Sequence, residues 1–385
     1  MTTVAAERMD GKGRFDTVAA PFLQCEGLPF ADIMDAESIE RAFNAEDGLF
    51  AQDDIFSTDI TLWAFLAQTL RDGKGAACSA AVADITTYMT QIGQKPPAGD
   101  TGDYCRARAK LSLSALRHLV VESAGQLERE ADECWLWNGL HAKLVDGFTF
   151  TMPDTPNNQE AFPQLHTQRP GAGFPIARCC TVVSSATACV CDIAIGPYEG
   201  KETGESALLR EIRFDVAVPG RQTEAITVIT TLTDSDTYSA QDIATLYGLR
   251  WNVELDIRDI KQTLGLDHVR CKSPHMVRRE VWVTLLAYNL IRKVIATSAV
   301  IHGKQPRRLS FTLTCQTVLA SWILLSTGSA RNAHQLWAAA LGSIANHEVP
   351  LRPGRIEPRV LKRRRHRYPL MHAPRDELRA AIGKT

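Results

Sequence analysis

The segment YGLRWNVELDIRDIK places Tyr247, Arg250, Glu254 and Lys261 at steps of three, four and seven. Steps of that size return to nearly the same side of an α-helix. At about 100° per residue the four side chains fall within an arc of roughly 60°. Ile243, Leu246, Val253, Ile257, Ile260 and Leu264 form a separate apolar stripe, centred roughly 70° away. Gln241, Gly248, Asn252, Asp256, Asp259 and Gln262 occupy the far side, the face expected to meet water. A carboxylate between two cations at the rim of a core suits a metal ion and a phosphate. The plain alternative is a pair of surface i,i+4 ion pairs, Arg250–Glu254 and Glu254–Arg258, each worth roughly 0.3–0.5 kcal/mol.

Elements on both sides of this segment must position it. Upstream, Thr58–Leu70 reads as a helix capped by Ser57 or Thr58, and a Gly-rich break separates it from a second helix over Ala77–Gln91. A third helix spans Lys110–Glu130. Two helices joined by a short Gly turn have the form of a helix-turn-helix, with Arg106, Arg108 and Lys110 nearby. From Cys134 the texture becomes strand-like: Ala142–Val145, Phe174–Val183 and Ala188–Ile195, the last two joined by a Ser184–Thr187 turn. A short helical run at Ser206–Arg210 precedes two more strands, Glu211–Ala217 and Ala225–Thr231. The Tyr247–Lys261 helix and a long apolar helix at Val277–Val300 complete an α/β pattern.

Composition narrows the class. The 385 residues allow two domains, and 45% hydrophobic content permits a core. Residues 1–50 carry ten Asp/Glu against four Lys/Arg. Residues 352–367 carry Arg352, Arg355, Arg359, Lys362, Arg363, Arg364, Arg365 and Arg367 against Glu357, an electrostatic footprint for phosphate. There is no secretory signal pattern and no run approaching 18 apolar residues, so a cytoplasmic location and no membrane partner are expected. Cys179, Cys180, Cys189 and Cys191 lack paired zinc-knuckle spacing and a His partner. They are expected to pack as small hydrophobes.

The Y-x2-R-x3-E-x6-K pattern of Tyr247, Arg250, Glu254 and Lys261 resembles the hallmark of DDE transposases of the bacterial insertion-sequence type-four family. Segments at Leu144–Gly147, Gly196–Arg210, Ile229–Asp234, Leu286–Arg292 and Glu357–Arg365 agree with it. The resemblance runs from about Thr58 to the C-terminus. It implies an α/β fold, with a ribonuclease H-like catalytic domain at 133–325 behind a helical DNA-binding domain at 56–132. An acidic segment at 1–55, expected to be mobile, and a basic region at 326–385 flank them. It implies Mg²⁺ or Mn²⁺ as cofactor and double-stranded DNA as partner, at transposon ends and target, with a homodimer on DNA as one possible assembly. Asp146 and Glu254 become the catalytic metal ligands. Tyr247, Arg250 and Lys261 become contacts to the transposon end, and Arg363, Arg364 and Arg365 further contacts to DNA.

One piece of the family pattern is missing. The second Asp should follow the helix that begins in KETGESALLR, yet Arg210 runs straight into EIRFD, which resembles a strand from much later in the family. Asp146 and Glu254 are only 108 positions apart, 254 less 146. The catalytic domain is therefore expected to be shortened near 210–211, losing a central strand and most of an insertion. Asp192 in the third strand, Asp215, and Asp234 and Asp236 in the turn before the helix are the available substitutes. Asp215 is expected to face solvent, and Asp234 and Asp236 to cap the helix. Two functions follow: metal-dependent DNA cleavage and strand transfer, or a catalytically inactive remnant that binds DNA.

Overall fold

The computed structural model describes residues 36–51, 54–71, 73–91, 93–198, 210–216, 224–230, 232–327, 330–350 and 373–382. The N-terminal part is helical: α1 (Ala36–Asn44), α2 (Thr58–Thr69), α3 (Cys78–Gln91), α4 (Gly102–Lys110) and α5 (Leu113–Arg129). The single helix expected at Lys110–Glu130 differs. The chain turns at Leu111 and Ser112, and the Ser112 hydroxyl accepts the Ala115 N–H at 3.3 Å to start α5 afresh. Helix α2 is buried on nearly every side, which marks a core element rather than a surface one.

Three strands follow: β1 (Lys143–Thr151), then, after the short α6 (Pro156–Ala161), β2 (Ile176–Ser184) and β3 (Val190–Pro197). They form an antiparallel sheet in the order β1-β2-β3. Asp146 lies opposite Thr181, and Thr181 opposite Ile193. Side chains alternate across the sheet. Leu144, Phe148, Phe150, Ala177, Cys179 and Val183 turn into the core, while Val145 and Cys180 lie exposed on the other face. Cys179 and Cys189 thus pack as small hydrophobes; Cys180 does not. Among the described residues, the other edge of β1 meets only the segment after the Glu254 helix. The Thr151 N–H donates to Asp267 O at 3.0 Å, and the Val269 N–H donates to Thr151 O at 3.1 Å. Strands β4 (Arg210–Val216) and β5 (Glu224–Thr230) pair as a separate antiparallel hairpin.

The C-terminal part contains α7 (Ala240–Gly248), α8 (Trp251–Arg258) with a π turn at Asp259–Thr263, α9 (Pro274–His302), α10 (Phe311–Thr327), α11 (Ala330–Ala345) and α12 (Arg375–Ile382). Gly303, at φ 62°, closes α9 in the left-handed conformation that glycine adopts without steric cost. Helix α9 is long and apolar enough to cross a membrane, but 83% of its most apolar window is buried inside the protein. Its Asn289 shows how it is held. The side-chain amide accepts from the Val190 N–H at 2.8 Å and donates to Val190 O at 3.0 Å and Val120 O at 3.2 Å. One side chain thereby pairs the edge of β3 as a neighbouring strand would and ties it to α5. One hydrophobic cluster runs from α1, α2 and α5 through the inner face of the sheet to α8, α9 and α11.

Glu128 at the end of α5 locks that helix to the sheet. Its carboxylate pairs with Lys143 and His141 and accepts from the Thr187 hydroxyl. Burial opposes its charge, but hydrogen bonds from Lys143, Ser184 and Thr187 win and hold its pKa below the ordinary 4.5. A depressed carboxylate contributes stability fully above its unfolded value, and that stability is lost as pH falls through the folded value. Glu128→Gln should therefore flatten the fall in stability below pH 4.5, measured by urea unfolding at a series of pH values. An equally steep fall in the variant would remove Glu128 from this role.

Candidate active site

Asp146 stands on the inner face of β1, flanked by Leu144 and Phe148, which are buried. One of its carboxylate oxygens accepts the Gly147 N–H at 2.8 Å, fixing its rotamer at the strand edge. Gly147 lets the strands approach closely there, since a Cβ would sit 3.3 Å from Cys179 O and the backbone would have to give by a few tenths of an ångström. The other oxygen faces Arg250 Nη1 at 3.3 Å. Arg250 Nη2 reaches Glu254 Oε1 at 3.4 Å. A single guanidinium thus bridges two carboxylates that are 108 positions apart in the chain, 254 less 146. Val253, Ile257 and Ile260 supply the apolar face that holds α8 in the core cluster with β1.

The helix is not continuous, as the spacing alone would have it. Leu249 and Arg250 join α7 to α8, and the π turn begins at Asp259. Tyr247, Arg250 and Glu254 still gather, with the Arg250 guanidinium 5.7 Å from the Tyr247 ring and 5.5 Å from the Trp251 ring. Lys261 lies past the start of the π turn. Its Nζ pairs with Asp267 at 2.9 Å and stands 6.0 Å from the Phe148 ring. Arg363, Arg364 and Arg365 lie outside the described residues, as do most of 1–55 and the KETGESALL segment, while the 210–211 junction itself opens β4.

The apolar stripe is where the periodicity places it, and Gln241, Gly248 and Gln262 on the far polar face are exposed as expected, but Asp256 and Asp259 are not. Asp256 is 2% exposed and bound by two arginines: Arg292 Nη2 at 2.9 Å and Arg307 Nη1 at 3.0 Å. Arg292 also reaches Asp259 at 3.4 Å and donates from Nε to the Tyr288 hydroxyl at 2.9 Å. Arg307 continues to Ser185 O at 2.5 Å and Ser184 O at 2.6 Å, at the β2–β3 turn. Burial opposes the Arg292 charge, but Tyr288, Asp256 and Asp259 hold its pKa above the ordinary value. Burial pushes the Asp259 carboxyl up despite Arg292. This network pins the back of the Glu254 helix to α9 and to the sheet. Arg292 inside the apolar run LAYNLIRKVIA was the available signal, because a buried guanidinium demands a carboxylate.

None of the substitute acids that can be placed joins Asp146 and Glu254. Asp192 is opposite Val182, on the other face of the sheet from Asp146, and pairs with Arg117 at 2.6 Å. Asp234 organises a turn, accepting from the Asp236 N–H at 2.9 Å and the Thr237 hydroxyl at 2.5 Å. It does not cap α7, and neither does Asp236. Ser239 does, in a capping box with Asp242. Among the described residues no group of three His, Cys, Asp or Glu side chains is placed to hold a metal ion.

An acid on the edge strand and an acid on a helix packed against it thus converge on one arginine, an arrangement of hard oxygen donors that suits a divalent cation. Residues 195–290 match the transposase DDE domain family; the match includes Glu254 and Lys261 and stops short of Asp146. Transposase InsG of insertion sequence element IS4 from Escherichia coli K12 is 25% identical over 343 residues, covering 69% of this chain and 77% of that protein. The transposase of insertion sequence element IS421 from Escherichia coli is 30% identical over 174 residues, covering 42% of this chain and 43% of that protein. The putative transposase InsL of IS186A from Escherichia coli K12 is 30% identical over the same length, 42% of this chain and 44% of that protein. No solved structure matches the chain. Residues 195–290 thus carry a transposase DDE domain, and the chain is similar to transposases of insertion sequences, enzymes that act on DNA.

Proposed function

We propose that this transposase cleaves DNA and transfers strands at transposon ends through a reduced acidic centre made of Asp146 and Glu254. The observation that carries the reading is the shared guanidinium. Two hard oxygen donors from separate elements converge on one cation site, 3.3 and 3.4 Å from Arg250. Both are partly exposed, so a hydrated ion can reach them. Mg²⁺ is commonly held by one or two carboxylates, with waters and substrate phosphate completing its shell. The donor set therefore fits one such ion, and Mn²⁺ equally. Bound there, the ion would supply Lewis-acid polarisation of the phosphoryl oxygen. Arg250 then turns from the carboxylates to the incoming phosphate, with Tyr247 and Lys261 holding the DNA end beside it. Arg363, Arg364 and Arg365 would add further phosphate contacts. In this reading residues 56–132 present DNA to the 133–325 domain, which follows the ribonuclease H-like plan, and a homodimer assembles on paired ends in the cytoplasm.

The domain is shortened, which the alignment to the IS4 transposase supports. That alignment spans 343 positions, but 69% of 385 residues is only about 266, leaving about 77 positions without a counterpart here. A missing central strand also accounts for β1 pairing on one side along most of its length. The absence of a third acid among the described residues favours a second reading, a DNA-binding remnant without cleavage.

Nicking of a DNA fragment carrying the gene and its flanks separates the two. With Mg²⁺ or Mn²⁺ the natural chain should nick the fragment, and Glu254→Ala should lose at least about a hundredfold in rate while still binding DNA. Binding without nicking by the natural chain would establish the remnant instead.

A further inference from the structure

Arg108 in α4 is 8% exposed, and no carboxylate among the described residues pairs with it. Its partners are neutral. Nη1 donates to Gln68 Oε1 at 3.1 Å, and Nη2 to Cys78 Sγ at 3.3 Å. The guanidinium stacks 4.7 Å from the Phe65 ring and 5.0 Å from the Tyr104 ring. Its buried Nε has no hydrogen-bond partner. A buried charge without a counter-ion is costly to keep, as is a buried donor left unpaired. The other buried charges among the described residues are paired: Arg292 with Asp256 and Asp259, and Lys293 with Glu130.

The exception lines a half-open cavity of about 560 Å³, between the N-terminal helices and the loop that follows the π turn. Arg71, Arg270 and Lys272 also line it. Arg71 is engaged by Asp84, whereas Arg270 and Lys272 are exposed. The one acid in the wall among the described residues, Glu280, already accepts the backbone N–H groups of Arg270 and Cys271. Phe65, Leu266 and Met276 give the cavity an apolar side. No lining residue belongs to the Asp146–Arg250–Glu254 cluster, so the cavity is a separate site.

We infer that this cavity binds a phosphate monoester, with Arg108 as the buried anchor and Arg270 and Lys272 at the mouth. A guanidinium fork matches phosphate oxygens in geometry. Three available cations suit a dianion better than a monoanionic carboxylate or phosphodiester. The volume lies in the range of small-ligand sites, which exceeds the needs of a bare phosphate and accommodates an attached nucleoside. The monoester has two sources of the same chemistry: a free nucleotide, or the 5′-phosphorylated end of a DNA strand.

The full-length chain is titrated with inorganic phosphate, adenosine monophosphate, and a short single strand with a 5′-phosphate or a 5′-hydroxyl, at constant ionic strength set by chloride. Binding is read by calorimetry and by alkylation of Cys78, Cys105 and Cys271, which line the cavity, with exposed Cys134 and Cys180 as references. Saturable binding is expected, with alkylation of the cavity thiols slowed several-fold and the reference thiols unaffected. Arg108→Met should abolish it, and Arg270→Ala with Lys272→Ala should weaken it at least tenfold. Adenosine monophosphate binding more tightly than either strand identifies a free nucleotide; a preference for the 5′-phosphate strand identifies the DNA end. Protection that chloride reproduces, or affinity unchanged in the rim variant, overturns the site. The rim variant alone decides the matter if Arg108→Met does not fold.

Discussion

Arg292→Met is expected to destabilise the protein by about 3–5 kcal/mol, the cost of leaving a buried carboxylate without its partner. Arg292 is 5% exposed and Asp256 2%, so water cannot enter to compensate. The substitution keeps the bulk of the stem and removes the donors to Asp256, Asp259 and Tyr288 together. Arg307 still reaches Asp256, which places the loss at the lower end if that contact shortens. Urea unfolding followed by circular dichroism measures it. The double variant Arg292→Met with Asp256→Leu should recover part of the loss, because the most deeply buried carboxylate leaves with its partner, while the less buried Asp259 and Arg307 each lose a contact. A single-variant loss below about 1 kcal/mol, the level of an exposed pair, would contradict the buried clamp.

Arg250→Leu should act in opposite directions on two ligands. The guanidinium occupies the place between Asp146 and Glu254 where a divalent ion would sit. At about 4 Å and an intermediate dielectric, unit charges interact by about 4 kcal/mol. These side chains are 27–43% exposed, so screening leaves a fraction of that. Removing the cation should raise Mn²⁺ affinity roughly tenfold, or about 1.4 kcal/mol, by calorimetric titration. Affinity for end DNA should fall at the same time, because the phosphate contact is gone. Unchanged Mn²⁺ affinity would mean that the ion does not compete with Arg250, and the two acids would then be bound to it for structural reasons alone.

What could be read from the chain alone was local. The spacing of Tyr247, Arg250 and Glu254 survives the break at Leu249–Arg250, because each step is within one helical turn. The longer step to Lys261 crosses into the π turn, and that lysine lies against Asp267 and Phe148. Asp256 and Asp259 were misplaced as a solvated face because periodicity reports which residues share a side, not what packs on that side. Their partners Arg292 and Arg307 are 36 and 51 residues from Asp256, on elements whose docking no local pattern encodes. Ser112 shows the same limit at smaller scale: a polar N-cap splits what reads as one continuous helix. Asp146 was legible only through family resemblance. On its own it is an acid before a glycine, and only the register against Thr181 and the approach of Arg250 make it part of a site.

Helix α9 touches almost everything described here: α2 and α5 on one side, β3 and the Glu254 helix through Asn289 and Arg292, and α11 beyond. Such a strut leaves no seam between α2, α5, β3 and the Glu254 helix along which one can melt while the others persist; the β4–β5 hairpin and the second apolar cluster under α3 and α4 stand apart from it. Helices α2 and α5 of the N-terminal layer and the acid-bearing layer therefore share one folding transition, with a single calorimetric endotherm across the covered elements. A truncation meant to isolate either layer would cut through a common interior and yield an aggregating fragment rather than a smaller working protein.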